Sequence, residues 1–246
     1  RRLEAVTDYA ARHGIDRVYT DVDALINDPE VDAVYIATPP DSHHAYSLKV
    51  AAAGKHCCVE KPMALNAGQS REMQQAFAEA GLHLFVAYYR RSLPRFAQVR
   101  QWLEEGRIGD VRHLSWTLTK APSPADMDGR DNWRTDPAVA GGGYFADLAS
   151  HGFDLFQYLL GDIVEVAGFT ARQAGLYAAE DAVSASWRFA SGALGMGCWS
   201  FVADRREDRV EIIGSLGRII FSVFDEHPVQ LHADEHLSLE IPHPEH

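Results

Sequence analysis

Leu3, Val6 and Ala10 recur at helical spacing between Arg2 and Ala11, and Gly14 follows as a stop, which predicts an opening helix. A strand is expected over Arg17–Tyr19 and a short helix around Val22–Ile26. The run Ala33-Val34-Tyr35-Ile36 lacks alternation, the pattern of a parallel strand buried on both faces, and it ends at Thr38-Pro39-Pro40. Asp41 or Ser42 is placed to cap the next helix, which reaches Ala53 before Gly54 and leads into the strand His56-Cys57-Cys58-Val59. Asn66 caps another helix that Gly81 stops, and Leu82–Ala87 reads as a further strand. Strand alternating with helix predicts an α/β domain, a doubly wound, Rossmann-like parallel sheet, over residues 1–92.

From about Val111 the period changes to two. Leu114, Trp116 and Leu118 alternate with Ser115, Thr117 and Thr119, and Val183, Ala185, Trp187 and Phe189 repeat the alternation. With Ile163–Phe169, Ala193–Trp199, Val210–Ile213 and Arg218–Phe221 they predict an α+β domain over 93–246 with a large, mostly antiparallel sheet. A helix from about Tyr144 to Leu160 is expected to cover one side. Trp187, Phe189 and Trp199 would make the free face a large apolar surface, so a homo-oligomer through this sheet is expected.

With 46% apolar residues in 246, the chain can bury a sizeable core. The net charge of -12 and the lack of a basic run argue against nucleic acid or an anionic membrane as partner, and for small polar metabolites. Cys57, Cys58 and Cys198 have no metal-type spacing, and adjacent Cys57 and Cys58 point to opposite faces of a strand. A disulfide framework is therefore not expected, and a reducing, cytoplasmic setting fits. No apolar stretch approaches the ~20 residues of a membrane span, and no signal peptide opens the sequence.

Candidate chemistry begins at Glu60-Lys61-Pro62, a carboxylate and an ammonium where a buried strand runs out, the end of an open α/β sheet that binds ligands. Pro62 keeps the Lys61 backbone extended. Asp147 and His151, four apart on a predicted helix, share one face. An imidazole can take an alcohol proton near neutral pH, a carboxylate can orient it or bind a second hydroxyl, and a lysine can hold the oxygen. Together these meet the needs of hydride removal from a secondary alcohol, although each motif alone is ordinary. A dinucleotide-binding sheet opens with a strand and a Gly-x-Gly-x-x-Gly turn, yet none occurs, and Gly141-Gly142-Gly143 follows no buried strand. The sheet is therefore expected to be incomplete at its N-terminus, with the Val18 strand lacking a neighbour and the edge beside Ala33–Ile36 exposed, the sequence being part of a longer one. His43-His44 and the tail histidines His227, His232, His236, His243 and His246 lack ligand spacing and read as solvated loop, so no metal is expected.

Taken in order, Val34-Tyr35-Ile36-Ala37-Thr38-Pro39, His43, Ala53-Gly54-Lys55-His56, Glu60-Lys61-Pro62 and Gly141-Gly142-Gly143 with Asp147, His151 and Asp154 resemble the glucose-fructose oxidoreductase and inositol dehydrogenase (Gfo/Idh/MocA) family. The resemblance implies that Lys61 and His151 are catalytic, His151 as proton acceptor, with Asp147 binding substrate hydroxyls. It further implies that Thr38, Pro39, His43, Glu60 and Lys61 line an NAD or NADP cofactor and that Trp133-Arg134 reaches its nicotinamide end. Blander roles stand beside these: a turn at Thr38-Pro39, a helix-start residue at His43, a core residue at Trp133. Tyr89 stands where many members have asparagine, and the chain stops at Pro244-Glu245-His246, short of the family's usual closing elements. The implied reaction interconverts a secondary alcohol and a ketone on a sugar, polyol or related carbohydrate. The alternatives are a redox-neutral glycosidase or lyase using the same cofactor, and a non-catalytic sugar-binding or regulatory module.

Overall fold

Apart from residues 17–19, the predicted helical and parallel-strand segments form in a computed structural model that describes residues 3–244; Arg2, Glu245 and His246, which bear on the predicted helix start and tail, lie outside them. Helix α1 (Leu3–His13) leads to α2 (Val22–Ile26), whose N-terminus Asp21 caps by accepting from Ala24 N at 2.8 Å. Strands β1 (Ala33–Ile36), β2 (His56–Val59) and β3 (Leu84–Val86) make a three-stranded parallel sheet in that order, linked by α3 (His43–Ala52) and α4 (Ala67–Glu79). Asn66 caps α4 by accepting from Gln69 N at 3.0 Å. The start of α3 departs from expectation: a 3-10 turn, Pro40–Ser42, leads into it, and neither Asp41 nor Ser42 supplies a side-chain cap.

Residues 17–19 form no strand. Arg17 instead pairs with Asp28 and Glu30, and the Tyr19 hydroxyl donates to Asp28. A strand needs a ladder partner, and β1, the edge of its sheet, gains none among the described residues. A groove of about 600 Å³ lined by Val34, Tyr35, Ile36 and residues of α1 and α2 runs there instead.

The second sheet has eight strands: β4 (Val111–Thr119), β5 (Ile163–Ala171), β6 (Ala182–Phe189), β7 (Leu194–Ser200), β8 (Glu207–Gly214), β9 (Arg218–Phe221), β10 (Val229–His232) and β11 (His236–Leu239). Only β4 and β7 run parallel. The hairpin β10–β11 was not expected, and it takes His232 and His236 out of the predicted loop and sets them opposite each other in the ladder. Helices α5 (Pro94–Glu104), α6 (Pro124–Met127), α7 (Pro137–Ala140) and α8 (Tyr144–Leu160) complete this part.

Helix α8 lies on the sheet face carrying Leu114, Trp116, Trp187, Phe189 and Trp199, all buried in one core with Phe156 and Leu155. Phe156 meets Trp116 edge-on and stacks on Trp187 at 6.4 Å. Gly152 permits the close approach, since a Cβ there would fall 2.3 Å from Trp116. The expectation that Trp187, Phe189 and Trp199 form a free face is thus corrected: a helix with apolar residues on one side takes the face with the largest rings. The outward rows are Phe169, Ser184 and Cys198, then Ala167, Ser186 and Met196, then Leu194 and Arg188. The chain divides into two compact units, Arg1–Ala87 and Tyr88–His246, a few residues before the expected boundary at 92. No described helix is long and apolar enough to cross a membrane.

Candidate active site

In the first unit the predicted residues gather where β1 and β2 end. Glu60 N donates to Ile36 O at 2.9 Å, so the ladder carries Glu60-Lys61 to the sheet's carboxyl edge beside Thr38-Pro39. Thr38 and Ser42 share a hydroxyl hydrogen bond of 2.6 Å, and Ser42 also donates to Pro39 O. His43 is fully buried behind them, with Nε2 2.8 Å from Thr38 O and Nδ1 3.0 Å from Pro62 O. It braces the two strand ends from beneath and meets the site only through them. The Tyr35 hydroxyl donates to one Glu60 oxygen and Lys61 N to the other, which fixes the carboxylate; that bond, reinforced by burial, pushes the Tyr35 phenol up to about 12.

These groups fit the nicotinamide and ribose end of a dinucleotide: oriented polar atoms at the carboxyl ends of parallel strands. The glycines of this unit serve otherwise. Gly14, Gly54 and Gly81 end helices at positive φ and Gly68 lies inside α4, so no diphosphate cradle is found among the described residues.

In the second unit Asp147 and His151 project from α8. The helix is entered through a tight turn in which Gly143 N donates to Glu180 Oε1 at 3.0 Å, and a Cβ on Gly143 would lie 2.8 Å from Glu180 O. His151 is nearly buried in a box of three rings, Tyr88, Tyr89 and Phe224, each edge-on with centroids 6.1, 6.0 and 5.8 Å away. Phe224 is itself held. Its N–H donates to Asp208 Oδ2, which also accepts from Asp225 N, while Asp208 Oδ1 accepts from Trp116 Nε1 at 3.0 Å. The Arg90 guanidinium covers the Phe224 ring at 4.5 Å and donates to Val223 O. Asp154 pairs with Arg91 through both oxygens.

Trp133 and Arg134 come to Asp147 as a pair. Arg134 Nε lies 3.5 Å from Asp147 Oδ2, and its guanidinium covers the Trp133 ring at 4.4 Å. The structure also brings up a residue the sequence did not single out, Lys120, at the end of β4, with its ammonium 3.5 Å from the centroid of the Tyr144 ring. Burial lowers the proton affinity of Lys120, opposed by the fields of Asp126 and Asp147. The Tyr144 hydroxyl donates to Asp126 Oδ1 at 2.8 Å and accepts from Asn132, and burial with that carboxylate raises its pKa to about 12. Burial raises Asp126 in turn, but bonds from Ser123 and Tyr144 outweigh it and hold the acid below its ordinary value. Tyr88, Arg90, Phe224 and Lys120 carry no motif; Tyr89 alone had a signal, as a departure from the family pattern.

Comparison with known proteins agrees with both units. Residues 1–88 match the model described as oxidoreductase family, NAD-binding Rossmann fold, and residues 96–220 match the GFO/IDH/MocA C-terminal domain. Oxidoreductase P35 of Formosa agariphila is 33% identical over 91% of this chain and 70% of its own length. The 1,5-anhydro-D-fructose reductase of Ensifer adhaerens is 33% identical over 86% of this chain and 63% of its own, and the myo-inositol 2-dehydrogenase of Thermotoga maritima 30% identical over 89% and 64%. Among solved structures, levoglucosan dehydrogenase in complex with NADH and levoglucosan superposes with a TM-score of 0.87 at 26% identity, covering 97% of this chain and 69% of that one.

Proposed function

The chain belongs to the Gfo/Idh/MocA oxidoreductase family, and from that premise we propose that it interconverts a secondary alcohol and a ketone of a sugar, polyol or related carbohydrate. Supporting this reading most directly is the geometry of α8: an imidazole packed in an aromatic box and, one turn earlier, a carboxylate held by Arg134. A bound nicotinamide dinucleotide supplies the hydride acceptor. Thr38, Pro39, Glu60 and Lys61 would line it, with His43 bracing them from behind, and Trp133-Arg134 would serve its nicotinamide end. The Lys61 ammonium holds the reacting oxygen and favours its alkoxide character. His151 takes the hydroxyl proton, and Asp147 binds a neighbouring hydroxyl. The three rings around His151 restrict how the imidazole can turn, so its reactive nitrogen is pre-aimed.

The test is incubation of the full-length protein with NAD or NADP and a panel of sugars and polyols, followed in the near-ultraviolet. Reduced nicotinamide accumulating with one of them supports the dehydrogenase; product without net reduction replaces it with a redox-neutral reaction, and no product from any of them overturns it. We further infer that the outer face of the large sheet, where Phe169 is 83% and Leu194 and Met196 each 52% exposed, pairs with a second copy. Light scattering at micromolar concentration is expected to show an assembly that Phe169→Glu weakens; a monomeric wild type excludes the pairing.

A further inference from the structure

Lys120 is a site cation whose placement the proposed hydride transfer does not use. Its backbone is fixed between strands, N donating to Ser200 O at 2.9 Å and O accepting from Ala203 N at 3.1 Å. Its side chain is half-buried, the ammonium seated on the face of Tyr144 with the Phe201 ring 5.8 Å away. Among the described residues it forms no ion pair or side-chain hydrogen bond. A cation on a ring face is only partly compensated for its lost water, because the ring offers a quadrupole and no acceptor lone pair. The carboxylates whose fields reach it are engaged elsewhere: Asp126 accepts from Ser123 N, Ser123 Oγ and Tyr144 Oη, and Asp147 pairs with Arg134. Arg206, the other charge that Lys120 feels, is a like charge. Tyr144 and Asp147 are one turn apart on α8, so the ammonium stands beside the carboxylate assigned to substrate.

We propose that Lys120 is the specificity-determining cation of this site and that it selects carbohydrates carrying a carboxylate, uronic or aldonic acids, over their neutral counterparts. A ligand carboxylate brings the half-buried ammonium a full opposite charge as well as a hydrogen-bond acceptor, whereas a neutral hydroxyl brings the acceptor alone. Tyr144, fixed by Asp126 and Asn132, holds the cation where it can be met. The inference rests on the reading of Asp147 and His151 as the substrate site, and it concerns what that site holds rather than which bond it changes.

The test is calorimetric titration of the full-length protein with D-glucuronate, D-galacturonate and D-gluconate against D-glucose, D-galactose and D-glucitol. The acids are expected to bind about tenfold or more tightly than their neutral partners. In Lys120→Met that ratio should fall to near one, and Lys120→Arg should restore most of it. Circular dichroism of each variant confirms the fold. Equal binding of acid and neutral members by the wild type, no binding of either, or a Lys120→Met ratio equal to the wild type's overturns the assignment. Acid binding that depends on Lys120 without oxidation of any sugar would leave this inference standing and remove the dehydrogenase reading. Oxidation of acid and neutral sugars with equal kcat/KM would do the reverse.

Discussion

The two units carry their chemistry in different ways. In the first, three short parallel strands end in polar segments, and Lys61 extends from the sheet's edge without belonging to the core, which is built from Ile26, Ile36, Val50, Val59, Met73 and Phe77. In the second, α8 is at once the lid of the aromatic core and the carrier of Asp147 and His151, with Leu155 and Phe156 fully buried along the same helix. Strand-end chemistry can be altered with little cost to packing, whereas chemistry on a core helix is tied to the helix's seating. If the proposed site residues act as assigned, that difference should make activity and stability separable in one unit and linked in the other.

The largest effect should separate them outright. Lys61→Ala and His151→Ala are each expected to lower kcat/KM by about 10²–10⁴-fold, but only His151→Ala should also lower the Tm, because it empties a ring-lined box. Equal Tm losses measured by calorimetry would erase the contrast. Next in size is Phe156→Ala, expected to cost about 3–5 kcal/mol in denaturant titration and to reduce activity through α8. Phe77→Ala, of similar intrinsic cost, should leave sugar binding at α8 unchanged. Gly152→Ala is smaller, about 1–3 kcal/mol, since its Cβ must displace the Trp116 ring by overpacking rather than by leaving a void.

The smallest effect belongs to the first unit's edge. Tyr35 has a folded pKa of about 12 against 10 when unfolded, so its neutral form is favoured by folding. The stability it contributes is present below about pH 10 and is lost as pH rises from there through about 12. Glu60→Gln should bring the phenol's ultraviolet titration down toward its ordinary range; an unchanged midpoint would show that Glu60 does not hold it.

Most helices were legible because caps and stops are local. Asn66 with Gln69 and the positive φ of Gly81 are set by neighbours in sequence. The Arg17–Tyr19 strand was misread because extended propensity gives no strand without a partner, and the β10–β11 hairpin was missed because its histidines masked the alternation of Val229 and Leu231. The sheet's buried face was misassigned, since alternation says that two faces differ but not which one a helix will take.

By itself the sequence determined the order of the elements, the change of period near Val111, and the positions of Glu60-Lys61-Pro62 on a strand end and Asp147 and His151 on one helix. These are consequences of short-range periodicity and steric preference. Only the tertiary structure decided that Tyr88, Tyr89 and Phe224 enclose His151 and that Lys120 sits on Tyr144. Those neighbours are distant along the chain, and their meeting depends on how the core packs, a long-range outcome that no local pattern of residues records.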